Sequence, residues 1–354
     1  MPGDSHDQTS GQNQWYQQPH PDEYSYNPGY GFFQKSPQIM EKMALKRCAA
    51  ALAIAVFAYL LLAYMLPVFF ASFFRLSFIS NPLSGSSAAQ SIYYIISALV
   101  FVLALGIPFS LYGVVIRIPR SVAVPTAKRP DPSFVLPAIC LALGLSVIGR
   151  FFIALLAVLF PAIGLEPSTA NPYLPDAPAA FIFCVLHLTL LPALVEEFVL
   201  RGVVMQSLRR FGDGFALMVS SILFMLLHQN IIQYPHALIM GLFIGYCVLY
   251  TGSIWTGATI HLANNLSVLL LLVADKYIGI SGTASLICYG LFLVIALVAL
   301  AFLVRQHPRL FSIPPSRALN PTSTLFRLFC TTPSVWIAIV FLVGAALQSM
   351  RVVS

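Results

Sequence analysis

The chain is written largely as apolar runs, each close to the ~20 helical residues that cross a bilayer. They fall at about 48–72, 88–115, 133–160, 177–205, 214–231, 235–251, 254–273, 281–304 and 334–350. No other feature restricts the fold so severely, because in lipid every backbone polar group must be satisfied inside the spanning structure. The expectation is an all-α fold: a polytopic integral membrane bundle of eight or nine transmembrane helices, with the last span the shortest. Composition agrees, since 58% of the 354 residues are hydrophobic and 9% are charged, against about 25% charged in an ordinary soluble domain.

The net charge of +7 does not point to nucleic acid, because the basic residues stand beside the apolar runs as orientation signals do. If the spans alternate, one side holds Lys35, Lys42, Lys46, Arg47, Arg117, Arg120, Lys128, Arg129, Arg209, Arg210, Arg305, Arg309, Arg317 and Arg327. The other side holds Arg75, Lys276 and Arg351, and the 14-to-3 asymmetry predicts a cytoplasmic N-terminus. The expected location is the plasma membrane, with the lipid bilayer as a standing partner. Residues 1–36, rich in Gln, Pro, Tyr, Gly and Ser, are expected to be a disordered cytoplasmic tail and not a signal peptide. A transmembrane domain over 45–304 and a proline-bearing cytoplasmic connector over 305–333 should follow, with 334–350 as the final helix. Six scattered cysteines with no C-x-x-C spacing read as small apolar helix residues.

One apolar run is unlike the rest. Val195-Glu196-Glu197-Phe198-Val199-Leu200-Arg201 places three charges inside a span, where each costs on the order of 2.5–3.5 kcal/mol by insertion scales unless it is compensated. Glu197 and Arg201 are four apart and share a helix face, so they can pair. Glu196 is rotated about 100° from Glu197 and lacks that partner. Two other spans supply polar groups. Arg209-Arg210-Phe211-Gly212-Asp213-Gly214 reads as a tight helical hairpin, with Asp213 a candidate N-cap. Glu196 stands sixteen residues before Gly212 and His228 sixteen after it, so both lie about 24 Å from the turn. His261 and Asn265 project from one face of the seventh span, only about 10 and 16 Å in, so a tilt or a bend in the fourth span must close the gap. His187 is expected to be too distant, His236 to be interfacial, and Arg150, in the third span, to pack or snorkel.

A carboxylate, two histidines, an asparagine and a Glu–Arg pair are the equipment for activating water and stabilising an oxyanion. Glu196 would take the proton with His228 aiding it, while His261 and Asn265 donate to the tetrahedral intermediate. Glu196, His228 and His261 are equally candidates to hold a divalent metal such as zinc, since His/His/Glu is a catalytic zinc set. There is no H-E-x-x-H helix for such a metal and no G-x-S-x-G elbow for serine chemistry.

Together, E-E-x-x-x-R at Glu196–Arg201, F-x-x-x-H at Phe224–His228 and H-x-x-x-N at His261–Asn265 resemble the CAAX-processing and bacteriocin-processing intramembrane proteases, the Abi or CPBP family. Met240-Gly241-Leu242-Phe243-Ile244-Gly245 and Gly252-Ser253-Ile254-Trp255 are similar to that family's pattern as well. The resemblance covers a core at 177–273. It implies a membrane peptidase acting on a membrane-associated peptide or protein, with Glu196 catalytic and His228 its partner. It also implies an intermediate-stabilising role for His261 and Asn265, with Glu197 and Arg201 in support. The family is commonly labelled metalloprotease, although a glutamate mechanism without metal fits the same residues. Two other classes compete: a non-enzymatic membrane scaffold or bacteriocin-immunity protein, and a proton-coupled transporter in which the same side chains form a relay.

Overall fold

The computed structural model describes residues 24–27, 31–34, 36–74, 86–126, 129–167, 174–279, 282–310, 312 and 318–352. Lys35, Arg75, Lys128 and Arg317, used above for orientation, lie outside them, as do residues 1–23 of the tail. Two short strands in the polar N-terminal stretch, β1 (Tyr24–Asn27) and β2 (Gly31–Gln34), pair antiparallel with Tyr26 opposite Phe32. The alternation of aromatic and polar residues there suits a ladder, a signal passed over when the whole stretch is taken as unstructured.

Helices occupy all nine apolar segments. They are α1 (Pro37–Phe73), α2 (Ser87–Val115), α3 (Pro132–Ala162), α4 (Pro178–Phe211), α5 (Asp213–Leu227), α6 (Tyr234–Thr251), α7 (Ile254–Ile278), α8 (Gly282–Gln306), α9 (Thr322–Cys330) and α10 (Pro333–Leu347). Seven of these, α1 to α4 and α6 (with the turn Ile231–Gln233 before it) to α8, are long and apolar enough to cross a membrane. The bent pair α9–α10, which turns through 64°, makes eight if it is one span. Helix α5 has 15 residues, about 22 Å, and stops inside the bundle rather than beyond it. The stretch 305–333 is more than a connector: α9 packs Phe326 and Phe329 on Phe215, and Glu41 accepts the backbone N–H groups of Leu319 and Asn320. A third strand, β3 (Leu165–Pro167), pairs with β4 (Met350–Val352). The six cysteines are free thiols, with Cys48, Cys184 and Cys247 buried.

Local chemistry sets the helix ends. Ser86 caps α2 by accepting from Ala89 N–H at 3.3 Å, and Asp131 caps α3 by accepting from Ser133 N–H at 3.0 Å. Between α4 and α5, Gly212 takes φ 115°, a conformation that side chains other than glycine rarely reach. Asp213 is not the N-cap there. Its carboxylate is held by Arg209 Nε at 2.7 Å, so the charge four residues earlier wins over the helix terminus.

Helix α4 is not a regular α-helix. Leu186–Leu190 and Glu197–Val204 are π-helical. The first widening precedes Pro192, whose ring cannot fit under an ordinary i−4 carbonyl and which has no N–H to donate. The second begins at Glu197 and gives fewer ångströms of rise per residue, drawing Glu196 closer to the level of α7. This is the bend in the fourth span that the sequence required.

Candidate active site

The site is built where α4, α5, α6 and α7 meet. Glu197 and Arg201 are fully buried, and Arg201 Nη1 donates to Glu197 Oε1 at 2.9 Å. The guanidinium is further compensated by the carbonyl of Gly241, which accepts from Nη2 at 3.2 Å, and by the Phe224 ring, whose centroid lies 4.4 Å from Cζ. Buried ion pairs persist only when extra hydrogen bonds satisfy them, and α5 and α6 provide those here. Glycines open the space. A Cβ on Gly241 would come within 3.1 Å of the Phe224 ring, and one on Gly257 within 2.8 Å of Glu197 Oε2.

The third partner of this pair was not foreseen. His261 Nδ1 lies 2.8 Å from the same Glu197 Oε1 that Arg201 engages. Counting along a single helix finds the i,i+4 cation but cannot see an imidazole delivered from α7. The consequence is a fixed ring: Nδ1 carries the proton toward the carboxylate, and Nε2 turns to Glu196, 3.8 Å from Oε2. His261 Nε2 therefore accepts when the ring is neutral and donates to an oxyanion only once it is protonated.

Glu196 differs from its neighbour in exposure. Its side chain is 18% exposed, against 1% for Glu197 and 0% for Arg201. It faces a cavity of about 480 Å³, whose wall also holds His228, His261, Asn264 and Asn265. Helix α5 ends at His228, followed by Gln229 in the left-handed region at φ 49°. Non-helical backbone at membrane depth is tolerated where it lines such a cavity. His228 Nδ1 donates to the Phe224 carbonyl at 2.8 Å, leaving Nε2 unengaged among the described residues. His228 and Glu196 line the cavity together but make no direct hydrogen bond. They also share a smaller cavity of about 80 Å³ with Tyr59 and Phe101, so α1 and α2 complete the wall. Gln229 Nε2 donates to the Tyr59 hydroxyl at 3.0 Å, joining the α5 terminus to α1.

All six expected site residues thus converge, in two sets. Glu196, His228, His261 and Asn265 face the cavity, while Glu197 and Arg201 form its buried support. Residues not singled out beforehand also take part. Phe224 stacks edge-on to both His228 (4.8 Å) and His261 (5.8 Å) beneath Arg201, and Asn264 donates to Asn265 Oδ1 at 3.3 Å. The four-residue spacing of Phe224 to His228 was the available signal. His187 lies in a separate cavity with Tyr59 and Tyr93. His236 and Arg150, by contrast, line the main cavity. His236 is drawn in by the turn Ile231–Gln233 and lies against Gly149, where a Cβ would collide with it. The donor set does not fit a metal: among the described residues no three His, Cys, Asp or Glu side chains converge closely enough to hold one. His261 Nδ1 is already committed to Glu197, and His228 stands across the cavity from both.

The fold and site together define a polytopic helical membrane protein with a water-sized, carboxylate- and imidazole-lined cavity inside its bundle. Residues 178–267 match the family model described as type II CAAX prenyl endopeptidase Rce1-like. At family level this is the domain of an intramembrane CAAX-type protease, and the match spans α4 to α7, the helices that carry the site. No curated protein and no solved structure matched the chain.

Proposed function

We propose that this protein is an intramembrane endopeptidase that hydrolyses a bond in a membrane-associated peptide or protein by a glutamate- and histidine-activated water. The observation that carries the reading is the division between adjacent residues: Glu197 is sealed with Arg201, while Glu196 opens on a cavity shared with His228, His261 and Asn265. Water held between Glu196 and His228 gives its proton to Glu196 as its oxygen attacks the scissile carbonyl. The oxyanion that forms is met by Asn265 Nδ2 and by protonated His261 through Nε2, a ring orientation fixed by Glu197. Collapse of the intermediate breaks the C–N bond, and Glu196 passes its proton to the leaving amine. Water is thereby added across the bond and Glu196 returns to its carboxylate form. No step is assigned to a metal.

The N-terminus lies in the cytoplasm and the membrane is the plasma membrane in this reading. Its support is the basic asymmetry and the gathering of basic loops at one end of the bundle, where Arg210 Nη2 meets Cys48 Sγ at 3.1 Å and Ile254 N–H donates to Pro125 O at 3.1 Å. The test is purified Glu196→Gln protein, used both in a cleavage assay and as a trap whose captured polypeptides are identified by mass spectrometry. Loss of cleavage with retained capture is expected. Cleavage at the wild-type rate by the Gln variant removes Glu196 from the mechanism.

A further inference from the structure

Arg150 stands eighteen residues after Pro132 in α3, deep in an apolar helix, and lines the cavity that holds Glu196 and His228. A cation at such a place is costly unless something offsets it. Among the described residues, no carboxylate forms an ion pair with Arg150. Its neighbours in the wall are Gln233, an amide, and His236, which lies within electrostatic reach of the guanidinium and contributes no negative charge. The only acid in that wall is Glu196, whose nearest cationic partner is His261. Ile153, Ala157, Leu188 and Leu272 make the surfaces between apolar. The cavity thus carries a reacting carboxylate and an unneutralised guanidinium in one enclosure, with apolar walls suited to hydrophobic side chains. Arg201 shows the contrast: it is equally deep in the membrane, yet fully surrounded by a carboxylate, a carbonyl and a ring.

We infer that Arg150, with Gln233 and His236 beside it, is an anion subsite that binds the free C-terminal carboxylate of the peptide whose bond lies at Glu196. The inference rests on the peptidase reading and adds to it where the substrate ends: the bond cut is near the C-terminus, and the terminal carboxylate sets the register. The guanidinium fork matches a carboxylate bidentately, which an ammonium does not. A lipid phosphate has the same oxyanion chemistry. The carboxylate is favoured because Arg150 shares its enclosure with the reacting residues, so a ligand that fills one end lies against the other.

The test uses full-length protein in phosphatidylcholine vesicles and two hydrophobic peptide libraries, identical except that one ends in a free carboxylate and the other in an amide. Wild type should cleave the acid set with kcat/KM at least about tenfold higher, as expected for a charge-assisted contact. Arg150→Gln should cut both sets at the amide rate, and Arg150→Lys should restore part of the preference. Binding is read in parallel on Glu196→Gln protein, where the acid preference should persist and vanish in the Arg150→Gln double variant. Cleavage of both sets at equal rates, or a preference that survives Arg150→Gln, overturns the subsite and leaves the peptidase reading standing. Acid-selective, Arg150-dependent binding with no cleavage by wild type has the opposite meaning: the subsite holds and the peptidase reading fails. Adding phosphatidylglycerol separates the two anion sources. If it abolishes the wild-type acid preference, the site belongs to lipid phosphate and the carboxylate assignment is overturned.

Discussion

Glu196 and Glu197 are neighbours in sequence, yet they belong to two different regions of the molecule. The side of α4 that carries Glu197 faces α5 and α6 and is closed. Every charge there is met within the protein, by Arg201, His261, Gly241 and Phe224. The side that carries Glu196 faces an open cavity, where polar side chains exceed the hydrogen bonds they make with one another. The difference teaches that a charge in a membrane helix is not by itself a sign of chemistry. A carboxylate surrounded by its partners is structural, and one left facing space is available to react.

The sharpest way to break this comparison is to remove each acid in turn. Glu196→Gln should lower turnover by about 10²–10⁴-fold, the range for a general base, with no change in melting temperature measured in detergent. Arg201→Met should do the reverse in kind, destabilising the fold by about 3–5 kcal/mol because Glu197 is left as an uncompensated buried charge. If Arg201→Met melts like wild type, the closed side is not the support it is taken to be. A milder probe is Gly257→Ala, whose Cβ would sit 2.8 Å from Glu197 Oε2 and 2.7 Å from Val248 Cγ2. Overpacking of this kind should cost about 1–3 kcal/mol and also slow cleavage by displacing the Glu197 that orients His261, seen as a drop in kcat greater than any rise in KM.

The smallest effect belongs to a site remote from both regions. Two hydrogen bonds from Ser133, by its side chain and its backbone, hold the Asp131 carboxyl below its ordinary range. A lowered folded value means that the cap contributes at higher pH and loses its contribution as pH falls through that value. Asp131→Asn, which keeps an oxygen to cap α3 but cannot titrate, should remove only this shallow acid dependence from the melting curve. An equal pH dependence in the two proteins would place its origin elsewhere, in the cavity included.

Much of the site was legible because helical periodicity is local. The four-residue spacings of Glu197–Arg201, Phe224–His228 and His261–Asn265 each put two side chains on one face, and symmetric counting about Gly212 set Glu196 and His228 at one depth. What could not be read was whatever one helix does to another. His261 completing the Glu197 pair, Phe224 lying beneath Arg201, and His236 and Arg150 entering the cavity are contacts among residues from different helices, and no spacing encodes them. The strands at Tyr24–Asn27 and Gly31–Gln34 and the helix at Thr322–Cys330 were missed for another reason: each is short and lies in a polar or proline-bearing stretch whose composition outweighs its period.

The sequence by itself determined that this chain is a bundle of membrane helices and that three of them bring carboxylate, imidazole and amide to a common depth, because hydrophobic length and the 3.6-residue period are properties of the chain alone. Only the tertiary structure decided which glutamate is sealed and which is free, because that depends on which neighbours arrive from other helices. The π-helical stretch from Glu197 to Val204 is where the two meet. Its residues sit in one helix, but its widening earns its consequence only from α7, which it brings within reach of Glu196.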